Sequence, residues 1–230
     1  MEHEPLFFIN TVLSSLGLGD FAEHYVHITY TWLIMLIMVG SAMVVTKGVQ
    51  LLPGKGQNFF EVIIEKLESF MLDITGPEGK SFFPFIATIF LYILVANLIG
   101  LVPGFYSPTA NLNTTLAMAL CTFVYTHYIG VKYHGVGYVK HFLGPVWWLI
   151  PLMLPIELIG HLARVMSLSI RLYGNIFGKE LVLSILFMLA GLYLAPLPIM
   201  FLGILVSFIQ ALVFMLLAIM YFVGAMEEAH

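Results

Sequence analysis

The sequence predicts an all-α membrane protein. It is a polytopic helical bundle with an amphipathic surface helix and a long, strongly tilted C-terminal helical hairpin. Three observations carry that prediction. Of the 230 residues, 60% are hydrophobic and 10% charged, with a mean hydropathy of +0.99, far from an ordinary soluble domain. Several apolar runs reach the roughly 20 residues that a helix needs to cross a bilayer. One of them, residues 155–184, carries Glu157, His161, Arg164, Arg171, Asn175, Lys179 and Glu180. Charges inside a membrane segment are costly and mark the path of an ion or substrate.

The same inventory excludes other classes. A single cysteine, Cys121, rules out an intramolecular disulfide and a cysteine-based metal cluster. The H-E-x-x-H pattern is absent, which argues against His161 as a metal ligand; no metal and no cofactor are expected. A net charge of −4 gives no reason to expect nucleic acid as a partner. The N-terminus lacks the basic region of a signal peptide, so no cleavage is expected.

In chain order, residues 1–26 read as a tail without Lys or Arg, and 28–46 as the first span. Pro53, Gly54 and Gly56 then break the helix. Over 57–75, Phe60, Ile63, Ile64, Leu67, Phe70, Met71 and Ile74 recur at helical spacing. Glu61, Glu65, Lys66, Glu68 and Asp73 fill most of the other face. This is an amphipathic helix for the membrane surface or for packing on a soluble partner. Gly76-Pro77 ends it. The second span is 82–103, with Asn97 inside and Pro103-Gly104 at its end, and the third is 112–131.

Six loop lysines fall on one side of this arrangement: Lys47, Lys55, Lys66 and Lys80 between spans one and two, and Lys132 and Lys140 after span three. By the positive-inside rule that side is cytoplasmic and the N-terminus is outside. Trp147 and Trp148 fit an interfacial anchor. The remainder, 145–195 and 199–224, reads as a helical hairpin turned by Pro196 and Pro198. Its first arm runs as continuous helix for about 40 residues from Pro155. That is about 60 Å, twice a bilayer core, so it tilts, lies partly along the membrane, or breaks. Pro155 places Glu157 in the first helical turn, where the helix dipole alone favours a carboxylate.

At 100° per residue, Ser167 and Asn175 lie about 40° to either side of Arg171. Arg164 and Glu157, one and two heptads earlier, drift only about 20° per heptad. The five make one polar stripe, and Glu180 points to the opposite face. Gly174 and Gly178, four apart, allow another helix or subunit to approach closely. Arg cannot relay a proton, but it blocks one and attracts a carboxylate; a buried Glu titrates. A permanent cation between titratable groups suggests two half-paths kept apart by a barrier. The competing readings are structural. Arg171 snorkels or pairs, Arg164 pairs with Glu157 or a lipid phosphate, Glu180 pairs with Lys179, His161 packs between helices, and Asn97 and Gln210 are interhelical glue.

SLSIRLYGNIFGKEL, with the late IQALVFMLLAIMYF and the earlier NLIGLVPG, resembles subunit a of the F-type ATP synthases from about Phe82 to the C-terminus. The resemblance implies a non-catalytic stator subunit of a bacterial plasma membrane, C-terminus cytoplasmic. Its partners would be a rotating ring of c-subunits, peripheral-stalk b subunits and the lipid bilayer. It would form two offset aqueous half-channels that serve the ring carboxylates with H⁺, or Na⁺ where the ring site selects it. The family arginine maps onto Arg171, its asparagine onto Asn175, the channel glutamate onto Glu180, and the polar residue of the last helix onto Gln210. Glu157, Arg164 and Ser167 fall on polar family positions, and Asn97 is expected to line the outer water path. Some members carry a histidine where this chain has Gly203, so water or another side chain must complete that path. Two alternatives stand beside this reading. A self-contained channel or secondary transporter would be expected to show an internal repeat. An intramembrane enzyme would need a nucleophile and base.

Overall fold

The computed structural model describes residues 24–47, 54–102, 104–135, 138, 150–190 and 196–226. Among them are six α-helices: α1 Val26–Thr46, α2 Lys55–Thr75, α3 Phe83–Ile99, α4 Leu112–His134, α5 Ile150–Ala190 and α6 Pro196–Met226. Short 3-10 turns at Pro77–Ser81 and Pro108–Ala110 precede α3 and α4. The expected tail and the tryptophan pair lie outside the described residues.

Four helices, α1, α4, α5 and α6, are long and apolar enough to cross a membrane. The chain is an integral, multi-pass membrane protein. α3 has 17 residues, about 26 Å of helix against a bilayer core of about 30 Å. It stops at Ile99, short of the 82–103 read from hydropathy. Gly100–Val102 turn instead, and Gly104 adopts φ +88°, a region open to glycine at no steric cost. Beyond this early stop, Ser107 and Thr109 bond back onto Ala96 and Asn97 near the end of α3.

α2 follows its pattern in part, since Phe60 and Phe70 of the expected apolar face are exposed. Met71 is buried, and Leu67, Leu72 and Ile74 join the core, while Glu61, Glu65, Lys66 and Asp73 stay exposed. The helix packs on α1, α3 and α6 of its own chain. Gly76, at φ +68°, and Pro77 end it.

Two helix pairs, α3 with α6 and α4 with α5, make equally extensive contacts and together form the core. Phe82, Ile86, Phe90 and Ile93 meet Phe214, Met215, Ile219 and Phe222. Phe82 and Phe222 stand edge to face with ring centroids 5.3 Å apart, a favoured aromatic geometry. Ala211 and Ala218 are buried at 0% exposure and keep the helix axes close, as small residues do where lipid removes the usual hydrophobic drive. From α5, Val165, Leu168, Leu172 and Ile176 complete the core.

The hairpin departs from expectation at three prolines. α5 has 41 residues and begins at Ile150, with Pro155 inside it. A proline there forfeits only the bond to residue 151, near the helix end, where the cost is least. Glu157 therefore stands about two turns in, and the helix dipole does not account for it. Pro196 and Pro198 lie in the first turn of α6 rather than in a loop, where their missing N–H groups would be unpaired anyway. At about 62 Å, α5 is unbroken and about twice as long as a bilayer core is thick.

Candidate functional site

The core-facing residues of α5 fix where its polar ones go. With Leu168, Leu172 and Ile176 turned inward, Ser167, Arg171 and Asn175 stand on the uncovered side. Arg171 donates from a guanidinium nitrogen to Ser167 Oγ at 3.3 Å. Asn175 Nδ2 donates to Gln210 Oε1 at 2.6 Å, and Gln210 is only 4% exposed. One amide pair thus locks α6 to α5 beside the arginine. A Cβ placed on Gly174 or Gly178 would meet nothing within 4 Å. The small-residue notch therefore opens outward rather than against this chain. The apolar rows around it, including Leu162, Met166 and Ile170 on α5 and Leu205 and Ile209 on α6, are exposed too.

Toward the C-terminal end of α5, Glu180 turns away from that face, as the helical wheel requires. Its Oε1 accepts from the backbone N–H of Ser107 at 3.1 Å. Ser107 Oγ donates to the Ala96 carbonyl at 2.9 Å, and Thr109 Oγ1 donates to Asn97 Oδ1 at 2.6 Å. Gly100 is required here, because a Cβ would lie 2.5 Å from Ser107 Cβ and 2.9 Å from Glu180 Oε1. Glu180 lines a cavity of about 450 Å³ with Tyr106, Phe105, Phe177, Leu181 and Ser184. Burial, and after it the Glu180 carboxylate, push the Tyr106 phenol up to about 12. It stays a neutral donor beside the acid.

Lys179 does not form the local pair with Glu180 that its position suggests. Its ammonium donates to the Asn97 carbonyl at 3.0 Å and to Ser207 Oγ at 3.3 Å, joining α3, α5 and α6. Gly203 is where this lysine stem passes. A Cβ there would lie 3.3 Å from Lys179 Cδ and 2.6 Å from Leu101 Cδ2. Asn97 is fully buried and bonded on all these sides, and it is not in the cavity wall.

Toward the N-terminal end, Glu157 Oε1 lies 3.3 Å from His161 Nε2. The neighbour of Glu157 is thus His161, and Arg164 instead sits over the Tyr221 ring, 5.8 Å from its centroid. Glu157, His161, Arg164, Tyr138, Thr126 and Tyr221 line a second cavity of about 270 Å³. The structure thus joins Arg171 to Ser167 and Asn175 to Gln210. It places Glu180 with Ser107, and Glu157 and Arg164 together in a separate cavity. Ser107, Thr109, Ser207 and the contacts of Lys179 went unread in the sequence. The Ser-Pro-Thr run at 107–109 is the one signal that points to them, as a polar turn beside an apolar span.

A sequence model described as ATP synthase A chain matches residues 28–223. The ATP synthase subunit a of Desulfosudis oleivorans is 57% identical over 230 residues, covering all of both chains. That of Syntrophobacter fumaroxidans is 56% identical over 241 aligned positions, again covering all of both, and that of Geotalea daltonii is 53% identical over the full length of each.

Proposed function

This chain belongs to the ATP synthase A chain family, and on that premise we propose that it is the non-catalytic stator through which protons reach and leave the ring of c-subunits. Membership makes it a proton-translocating subunit of the membrane sector of an ATP synthase complex, and sets aside the self-contained transporter and the intramembrane enzyme. Two offset half-channels are the finer reading. The observation that carries it is the position of Arg171: on the outward face of α5, between one cavity that holds Glu180 and another that holds Glu157. By helical rise the arginine stands about 14 Å from Glu180 and about 21 Å from Glu157 along the axis.

The outward notch of Gly174 and Gly178 suits a close-packed partner helix, and a ring subunit carrying a carboxylate fits it. At about 4 Å and an effective dielectric of about 20, arginine and carboxylate attract by about 4 kcal/mol. That suffices to strip a proton from an arriving acid, and rotation can still break it. The guanidinium, held by Ser167 and never deprotonated, also repels protons seeking a direct route between cavities. Peripheral-stalk b subunits and the bilayer complete its partners. Glu180 opens outward and Glu157 to the cytoplasm, in a bacterial plasma membrane with the N-terminus outside. The six loop lysines support that orientation.

The test is Arg171→Ala in assembled complexes in inverted membrane vesicles. ATP-driven proton pumping falls to background while the complex stays intact, and Arg171→Lys is severely impaired because it lacks the planar fork. Coupled pumping near wild-type rates in the alanine variant would sink the proposal.

A further inference from the structure

The cavity at the Glu157 end has a wall that extends beyond the polar stripe of α5. His161, 8% exposed, faces His127 of α4 with ring centroids 5.0 Å apart and planes 62° to one another. His127 Nδ1 lies 2.8 Å from the hydroxyl oxygen of Tyr138, which follows α4 in the chain. Tyr138 is seated by Gly130, whose missing side chain leaves the space its ring fills. A carboxylate, two imidazoles and a phenol thus succeed one another from Glu157 to Tyr138. Three of the four line one cavity, and His127 touches two of those three. At about 30 Å³ per water, 270 Å³ holds several waters among polar groups.

We propose that Glu157, His161, His127 and Tyr138 form a proton-exchange station on this wall, which passes protons between the ring-facing stripe and the aqueous side. The inference rests on the half-channel reading above and adds three residues to it. A proton leaving a ring carboxylic acid passes to a cavity water, from that water to an imidazole nitrogen or to the Glu157 carboxylate, and from there to another water, each group giving up one proton as it takes another. Only bonds to the proton form and break. The Tyr138 hydroxyl suits an exchanging neighbour, because it donates to Nδ1 of a neutral ring and accepts from Nδ1–H of a charged one. The other charged or titratable groups in the wall are Arg164 of α5 and Tyr221 of α6, stacked on each other. Arginine keeps its charge throughout, so the imidazoles and Glu157 are the exchanging set.

The experiment uses assembled complexes in inverted vesicles carrying His127→Ala, His161→Ala, or both. The expected result is that proton conduction falls about tenfold in the double variant, short of the roughly 10²–10⁴-fold of a positioned acid–base group because cavity water still carries protons. Added imidazole restores a large part of it, whereas a bulky amine buffer of equal strength does not. A packing role would not respond to imidazole. Wild-type conduction in the double variant, or a loss indifferent to imidazole, overturns the proposal. Should the alanine variants fail to assemble, His127→Gln and His161→Gln fill the space with an amide that exchanges no proton, and normal conduction in both overturns it equally. Arg171→Ala in the same vesicles separates the two ideas. If it still pumps, the stripe reading fails; if it is dead while the histidine variants conduct normally, the station alone fails.

Discussion

At one end of α5 the Glu180 carboxylate accepts a backbone N–H, in a cavity walled by Phe105, Phe177 and Leu181. Around it Ser107, Thr109, Asn97, Ser207 and Lys179 bond one another across three helices. At the other end Glu157 has no such frame. It meets an imidazole, and Arg164 and Tyr221 share its cavity. One end holds a single acid in a fixed position, and the other holds several groups that can share a proton. Fixed hydrogen bonds set where one proton waits, and clustered titratable groups set how readily protons disperse. The variants that follow try that contrast, beginning with the largest effect.

Glu180→Gln keeps the shape and the hydrogen bond to Ser107 but removes the exchangeable proton. If the Glu180 end depends on one acid, coupled proton flux drops about a hundredfold or more, the scale on which a positioned acid–base group contributes. ATP-driven pumping in vesicles with assembly checked on native gels measures it. Unchanged flux would make Glu180 structural and erase the contrast between the ends.

A smaller effect is expected at Gly203. Its histidine variant must displace Leu101 and the stem of Lys179, and such overpacking costs about 1–3 kcal/mol. Gly203→His therefore lowers flux several-fold, and adding Lys179→Gly, which clears the lysine stem, recovers part of it. If the double variant is worse than either single one, the lysine is needed for itself and not merely accommodated by the glycine.

Much of this was legible in the chain and some was not, for physical reasons. Helical periodicity is strict, so the side of α5 that bears Ser167, Arg171 and Asn175 follows from counting, as does the opposite direction of Glu180. Long apolar runs locate α1, α4 and α6 for the same reason. Helix ends are set by local turns, and so α3 stops at Ile99 although hydropathy continues to Val102. Prolines are ambiguous: Pro155, Pro196 and Pro198 all read as boundaries, yet a helix accepts them in its first turns. Long-range partners leave no periodic trace. Nothing in the order of residues says that Lys179 turns from its neighbour Glu180 to the carbonyl of Asn97, 82 positions away. Asn97 read as a water-path residue because an amide in an apolar span invites that thought. Its 0% exposure and its bond to Thr109 make it the joint that holds the 107–109 turn.

The smallest effect tests that joint. Thr109→Val is nearly isosteric and removes one hydroxyl, which now donates to Asn97 Oδ1 and lies 2.8 Å from Ser107 Oγ. A buried acceptor left without its donor costs about 1–3 kcal/mol. Asn97 keeps its side-chain amide near the Ser207 carbonyl at 3.5 Å. Ser107 keeps its bond to the Ala96 carbonyl, so the turn loosens without coming free. The N–H that holds Glu180 then wanders, and coupled flux falls about two- to threefold, a fraction of that cost. Vesicle pumping rates, normalised to assembled complex, read the change. A fall as deep as that of Glu180→Gln would mean that the 107–109 turn carries protons itself. No fall at all would mean that the Ala96 bond alone positions Glu180, and the dense network at this end would lose its part in the contrast with the other.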